Sequence, residues 1–136
     1  MHNRLFTQAR LATSGVCEED TCILCGSKPE MRKHMFFQCD YSQQCLREIQ
    51  DMWRRYARKS RGKISRAFIW SILAATIYHI WMARNEALWQ KSVHIPTKVL
   101  KLIKMDAKYR IMEILHRKHT CKDKGWIEDI LQRDNV

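Results

Sequence analysis

The sequence predicts a mainly α protein, with a small Cys-Cys-His-Cys knuckle packed on a compact helical array. Three observations predict it. Only 4 Gly and 2 Pro occur in 136 residues, and no run alternates polar with apolar side chains. Four soft-ligand residues fall at one tight spacing, Cys22-x2-Cys25-x8-His34-x4-Cys39. Beyond them, apolar residues recur at helical intervals. The length suits a single domain, 1–136, with an N-terminal helix and knuckle at 1–45 and a helical region at 46–136 that carries a basic loop at 58–63. At 46% hydrophobic the chain can bury a real core.

A short first helix is expected at about 7–14, capped by Thr7 and ended by Gly15. Residues 16–40 form the knuckle, with Pro29 near the start of a helical turn that carries His34. A second helix runs from about Ser42 to Ala57, where Leu46, Ile49 and Trp53 share one apolar face. The polar, basic loop Arg58-Lys-Ser-Arg-Gly-Lys63 follows. A long apolar helix, about Ile64 to Lys91, is the expected central element, covered by its neighbours. After a loop at 92–96, another helix starts near Pro96. Its apolar face is Val99, Leu102, Met105, Tyr109 and Met112, with Lys101, Lys104 and Lys108 on another. Gly125 precedes a last short helix at about 126–133. Within the long helix, Ala67 to Ala83 holds no Asp, Glu, Lys or Arg. Seventeen residues containing Ser71, Thr76 and His79 suit a buried helix better than a membrane span.

Three thiols and an imidazole within eighteen residues are what one tetrahedral Zn²⁺ requires. The candidate ligands are Cys22, Cys25, His34 and Cys39. Gly26 lets the CxxC loop bend, and Phe36 and Phe37 supply apolar cover. Four protein ligands leave no open coordination position, so the site is structural and the function is binding. Cys17 is the one substitute ligand in reach. Cys17, Cys45 and Cys121 otherwise read as buried or free thiols. His116, His119 and Cys121 lack a fourth ligand for a second site. Zinc coordination contributes on the order of 10 kcal/mol to folding, comparable to the roughly 5–15 kcal/mol net stability of a domain. Chelation or His34→Ala is therefore expected to unfold at least the first 45 residues, which circular dichroism would reveal.

Lys plus Arg is 25 against 14 for Asp plus Glu, a formal net charge of +11. That balance favours a polyanionic partner. Between Met52 and Asn85 there are eight basic residues and no acidic one, and seven crowd into thirteen positions: Arg54, Arg55, Arg58, Lys59, Arg61, Lys63 and Arg66. A phosphate backbone rewards such clustering through counterion release, while a solvated loop or an import signal is the competing explanation. Trp53 and Tyr56 lie beside the cluster, where they can stack on bases, although Trp53 also suits the core. Lys98, Lys101, Lys104 and Lys108 read as a solvated helix face. No apolar signal core follows Met1-His2-Asn3-Arg4, which favours an intracellular protein, nuclear or cytoplasmic. There is no Gly-rich phosphate loop and no GxSxG, and acidic residues are scattered, so an enzyme is not expected.

The stretch Thr7-Gln-Ala-Arg-Leu11, Cys22-Ile-Leu-Cys-Gly26, Pro29-Glu30 and His34-Met-Phe-Phe-Gln-Cys39, followed by Tyr41-Ser42, resembles the zinc-binding domain of plant LINE-type (non-LTR retrotransposon) reverse transcriptases. Ile80-Trp-Met-Ala-Arg-Asn85 is similar to a segment that follows the knuckle in those polyproteins. The resemblance spans about residues 5–90 and implies the same four ligands. Cys45, where an aromatic is frequent, and the basic Met31-Arg32-Lys33 depart from the pattern. Polymerase, endonuclease and RNase H motifs are missing, so the resemblance implies a binding tail without the polymerase. The leading expectation is a non-catalytic zinc module that binds RNA or DNA through its basic surface. The other is a zinc-stapled helical protein-protein interaction module, engaging a protein partner or forming a homo-oligomer, and recruited for regulation or defence.

Overall fold

The computed structural model describes residues 5–57, 63–117 and 125. Among them the mainly α fold is borne out: four α-helices and one π turn carry the chain, with a single isolated β-bridge. Helix α1 spans Gln8–Thr13. Thr7 occupies the N-cap position with extended dihedrals, but its side chain makes no capping bond. The Gln8 amide instead donates to the Glu30 carboxylate, 3.0 Å away and 22 residues on. Gly15, at φ +71°, ends the helix as expected. Its amide bonds Ala12, and Val16 bonds Leu11, so two terminal carbonyls are satisfied.

The knuckle is a tight hairpin. Thr21 and Pro29 pair as an antiparallel bridge, flanked by Cys22 N–H to Lys28 C=O at 2.7 Å and Glu30 N–H to Asp20 C=O at 2.6 Å. Pro29 thus sits in the hairpin rather than at a helix start. The π turn His34–Gln38 follows. There the Cys39 amide reaches back five residues to the His34 carbonyl at 2.8 Å. The widened turn leaves carbonyls at Met35 and Phe37, and the side chains of Ser42 and Gln43 donate to them.

Helix α2 spans Asp40–Ala57, beginning two residues before the expected start. Its buried stripe is Tyr41, Ser42, Cys45, Ile49 and Met52. Leu46 is only half-buried, so the face is rotated toward Cys45 from the expected one. Helix α3 spans Lys63–Gln90. Phe68, Ile72, Ala75, Thr76, Ile80, Ala83, Arg84 and Ala87 face inward. The opposite face is open, contrary to the expected cover: Trp70, Leu73, Ile77 and Tyr78 are exposed. Ser71 and Thr76 hydroxyls donate to carbonyls four residues back, so they cost little in an apolar helix.

Helix α4 spans Pro96–Arg117 and packs along α3. Its buried stripe is Val99, Leu100, Ile103, Ala107 and Ile111. Met105, Tyr109 and Met112, expected inside, are exposed. The connection between α3 and α4 is clipped down by the Tyr41 hydroxyl donating to the His94 carbonyl at 2.6 Å, and by His94 Nε2 against Glu86 at 2.7 Å. Among the described residues no helix is long and apolar enough to cross a membrane. Of the basic loop expected at 58–63, Lys63 instead begins α3, and residues 58–62 lie outside the described residues, as do the helix expected at 126–133, His119 and Cys121.

Candidate metal centre

Two elements aim the four candidate ligands at one point. The hairpin turn supplies Cys22 and Cys25. Gly26 at φ +65°, its amide bonded to the Cys22 carbonyl at 2.7 Å, bends the loop so that both sulfurs face the same side. The π turn supplies His34 at its first position and Cys39 directly after its last. The extra residue per turn swings Cys39 round to the imidazole. Cys22, Cys25, His34 and Cys39 then offer ligand atoms all within 4.8 Å of one another.

The spacing suits a tetrahedral ion. Metal–sulfur and metal–nitrogen bonds of the lengths zinc adopts imply edges of about 3.8 Å between sulfurs and about 3.5 Å from sulfur to nitrogen. Cys22 Sγ and Cys39 Sγ are 3.9 Å apart, and Cys25 Sγ lies 3.3 Å from His34 Nε2. Cys22, His34 and Cys39 are buried, and Cys25 is half-buried. Backbone amides of Leu24 and Cys25 point at the Cys22 sulfur, and those of Tyr41 and Ser42 at Cys39. Such donors stabilise thiolate charge. The hydrogen bond from Cys22 lowers the Cys39 thiol to about 5. The same contact, reinforced by burial, pushes Cys22 up. Binding of a divalent cation would displace the thiol protons.

The other sequence-predicted residues fall differently. Cys17 is not part of the cluster; its sulfur lies 3.2 Å from Gln8 Oε1 and 3.2 Å from the Glu19 carbonyl. Cys45 has no exposed surface, and burial pushes its thiol up to about 11. Phe36 is buried in the core cluster, whereas Phe37 is 53% exposed. His116 is exposed near the end of α4. Of the basic cluster, Arg54 and Arg66 are exposed on α2 and α3, with Arg54 3.7 Å from Asp51. Arg58, Lys59 and Arg61 lie outside the described residues, as do the side chains of Arg55 and Lys63.

Two residues that the sequence reading gave no role meet behind the metal loop. Glu30 and Arg84 are 0% and 2% exposed, and Arg84 Nη2 and Nε lie 2.8 and 3.0 Å from Glu30 Oε1. Glu30 Oε2 also accepts from the Ile23 amide, between the first two cysteines, at 3.3 Å. The signal for Arg84 was its position as the first charge after the uncharged run of α3; nothing local signalled its partner.

With this geometry, residues 1–45 match the family described as zinc-binding in reverse transcriptase, and the match includes no polymerase domain. The resemblance read from the ligand spacing is borne out over those residues. The family match and the Cys₃His cluster together support a zinc-binding module. No curated protein and no solved structure matches the chain.

Proposed function

We propose that this protein is a non-catalytic module, stapled by Zn²⁺ on Cys22, Cys25, His34 and Cys39, that binds nucleic acid through the cationic surface of its helical half. One observation carries the reading: how charge is divided along the chain. Residues 1–45 hold five basic and five acidic side chains, whereas residues 46–136 hold twenty basic and nine acidic. The whole surplus of +11 therefore lies outside the knuckle. Arg47, Arg54, Arg66, Lys98, Lys101, Arg110 and Arg117 are exposed across α2, α3 and α4. The zinc is then a staple and the helices are the contact surface. Descent from the tail of a retroelement reverse transcriptase fits the family match, and three metal-binding thiolates fit a reducing intracellular setting, nuclear or cytoplasmic.

The test is a binding series with single- and double-stranded RNA and DNA at two salt concentrations, with and without chelator. Affinity is expected for all four, falling steeply with salt because counterion release drives it. Lack of binding at low salt to every nucleic acid rejects the reading.

The open face of α3 favours a second reading, in which the occupant is another copy of this chain. Trp70, Leu73, Ile77 and Tyr78 form a stripe at helical spacing, and Trp70 is 68% exposed. No charged residue lies between Ala67 and Ala83, so two copies can meet there without opposing their cationic surfaces. Light scattering after size exclusion separates the readings. A stable dimer without polyanion binding, returned to monomer by Trp70→Ser with Ile77→Ser, favours this second one.

A further inference from the structure

The Glu30 carboxylate is where three parts of the molecule meet. It accepts the Gln8 amide at the start of α1, the Ile23 amide inside the CxxC loop, and Nε and Nη2 of Arg84 from α3. With no exposed surface, it relies on protein donors for its solvation. Arg84 is just as enclosed. Its Nη2 also donates to the Phe6 carbonyl at 2.9 Å, Nη1 to Asn85 Oδ1 at 3.2 Å, and its guanidinium lies 5.4 Å from the Trp81 ring centre. The pair spans 54 residues.

We propose that Arg84 is a positioning residue of the metal centre: acting through Glu30, it holds the Cys22–Cys25 loop in the shape that binds the ion. The proposal rests on the zinc reading above. Ile23 is the first residue of the turn, and the next two amides, Leu24 and Cys25, point at the Cys22 sulfur. Anchoring Ile23 N–H on Glu30 orients that turn. Glu30 keeps its inward position because Arg84 balances its charge. Without Arg84 the carboxylate must take up a proton or turn toward water. Ile23 N–H then loses its acceptor and the loop loosens. Groups that orient metal ligands from behind change affinity by about 10–100-fold.

The test uses the full chain with Co²⁺ and Zn²⁺ as probes. Co²⁺ spectra read the ligand set, and competition with a chelator reads Zn²⁺ affinity. The unaltered chain is expected to give a tetrahedral spectrum with sulfur-to-cobalt charge transfer. Its absence would overturn the zinc reading, and this proposal with it, before any variant is compared. Arg84→Met is expected to weaken Zn²⁺ binding about 10–100-fold, with Arg84→Lys recovering part of the loss. Because Arg84→Met strands a buried carboxylate, the double variant Glu30→Met/Arg84→Met provides the control. Removing both charges should restore helix content and thermal midpoint. The Ile23 amide still lacks its acceptor, so metal affinity should stay low. Wild-type affinity in Arg84→Met overturns the proposal while leaving the zinc reading intact. So does recovery of affinity and stability together in the double variant, which would mark the pair as purely structural.

Discussion

Glu30 and Arg84 bury one charge each, and each is the other's compensation. Arg84→Met leaves a carboxylate without cation or water, and an unfolding titration should show a loss of about 3–5 kcal/mol. Arg54→Met, on an exposed pair with Asp51, should stay within about 0.5 kcal/mol. Cys45 sets a pH dependence. Its folded-state value near 11 exceeds its ordinary 9.0 because burial penalises the thiolate. The folded chain then holds a proton that the unfolded chain has released, so stability present below about pH 9 is lost as pH rises toward 11. The loss should total roughly 2–3 kcal/mol. Tyr41, raised chiefly by burial, acts in the same direction. Thermal midpoints measured from pH 8 to 11 should fall, and Cys45→Ala should flatten that slope. At this scale the ligands were legible in the sequence, because spacing within one loop limits where four side chains can go. The Glu30–Arg84 pair was not, since no local pattern encodes a contact 54 residues apart.

At the scale of elements, the π turn is the least forgiving part. Its widened backbone frees the Met35 carbonyl, and the buried Ser42 hydroxyl is what satisfies it. Ser42→Ala should cost about 1–3 kcal/mol by chemical denaturation. The helix faces offer a second check. Ile103→Ala, at a site with no exposure, should cost about 2–5 kcal/mol, whereas Met105→Ala on the exposed side should be nearly neutral. The positions of the helices were readable from scarce Gly and Pro, but their phases were not. In α4, apolar residues stand at 99, 100, 102, 103, 105, 107, 109, 111, 112, 114 and 115, enough for more than one stripe. Only the place of α3 and α2 decides which stripe is buried. α3 is apolar on nearly every side, so its open face carried no signal in composition.

At the scale of the whole molecule, the knuckle and the helices share one core. Met35, Phe36 and Cys39 belong to the same buried cluster as Ile80, Ile103 and Ile111. Metal removal should therefore act beyond residues 1–45. Calorimetry should show one transition for the metal-loaded chain, shifted down as a unit by chelator, rather than loss of a separate low-temperature knuckle transition. Two independent transitions would show that the halves do not fold together. The division of charge follows the same boundary: residues 1–45 carry no net charge, and the whole surplus lies in residues 46–136.

The long span between Glu30 and Arg84 also gives the chain an order of assembly in time. At about 5–20 residues per second of synthesis, Glu30 emerges about 3–11 s before Arg84. Cys39, the last of the four candidate ligands, follows Glu30 by nine residues, and from then until Arg84 appears the carboxylate behind them is still hydrated and the loop is free to rearrange. An ion can enter at this stage without opening a finished core. Closure by α3 comes after that window and slows the ion's escape, so a site loaded during synthesis should exchange its metal more slowly than it first acquired it.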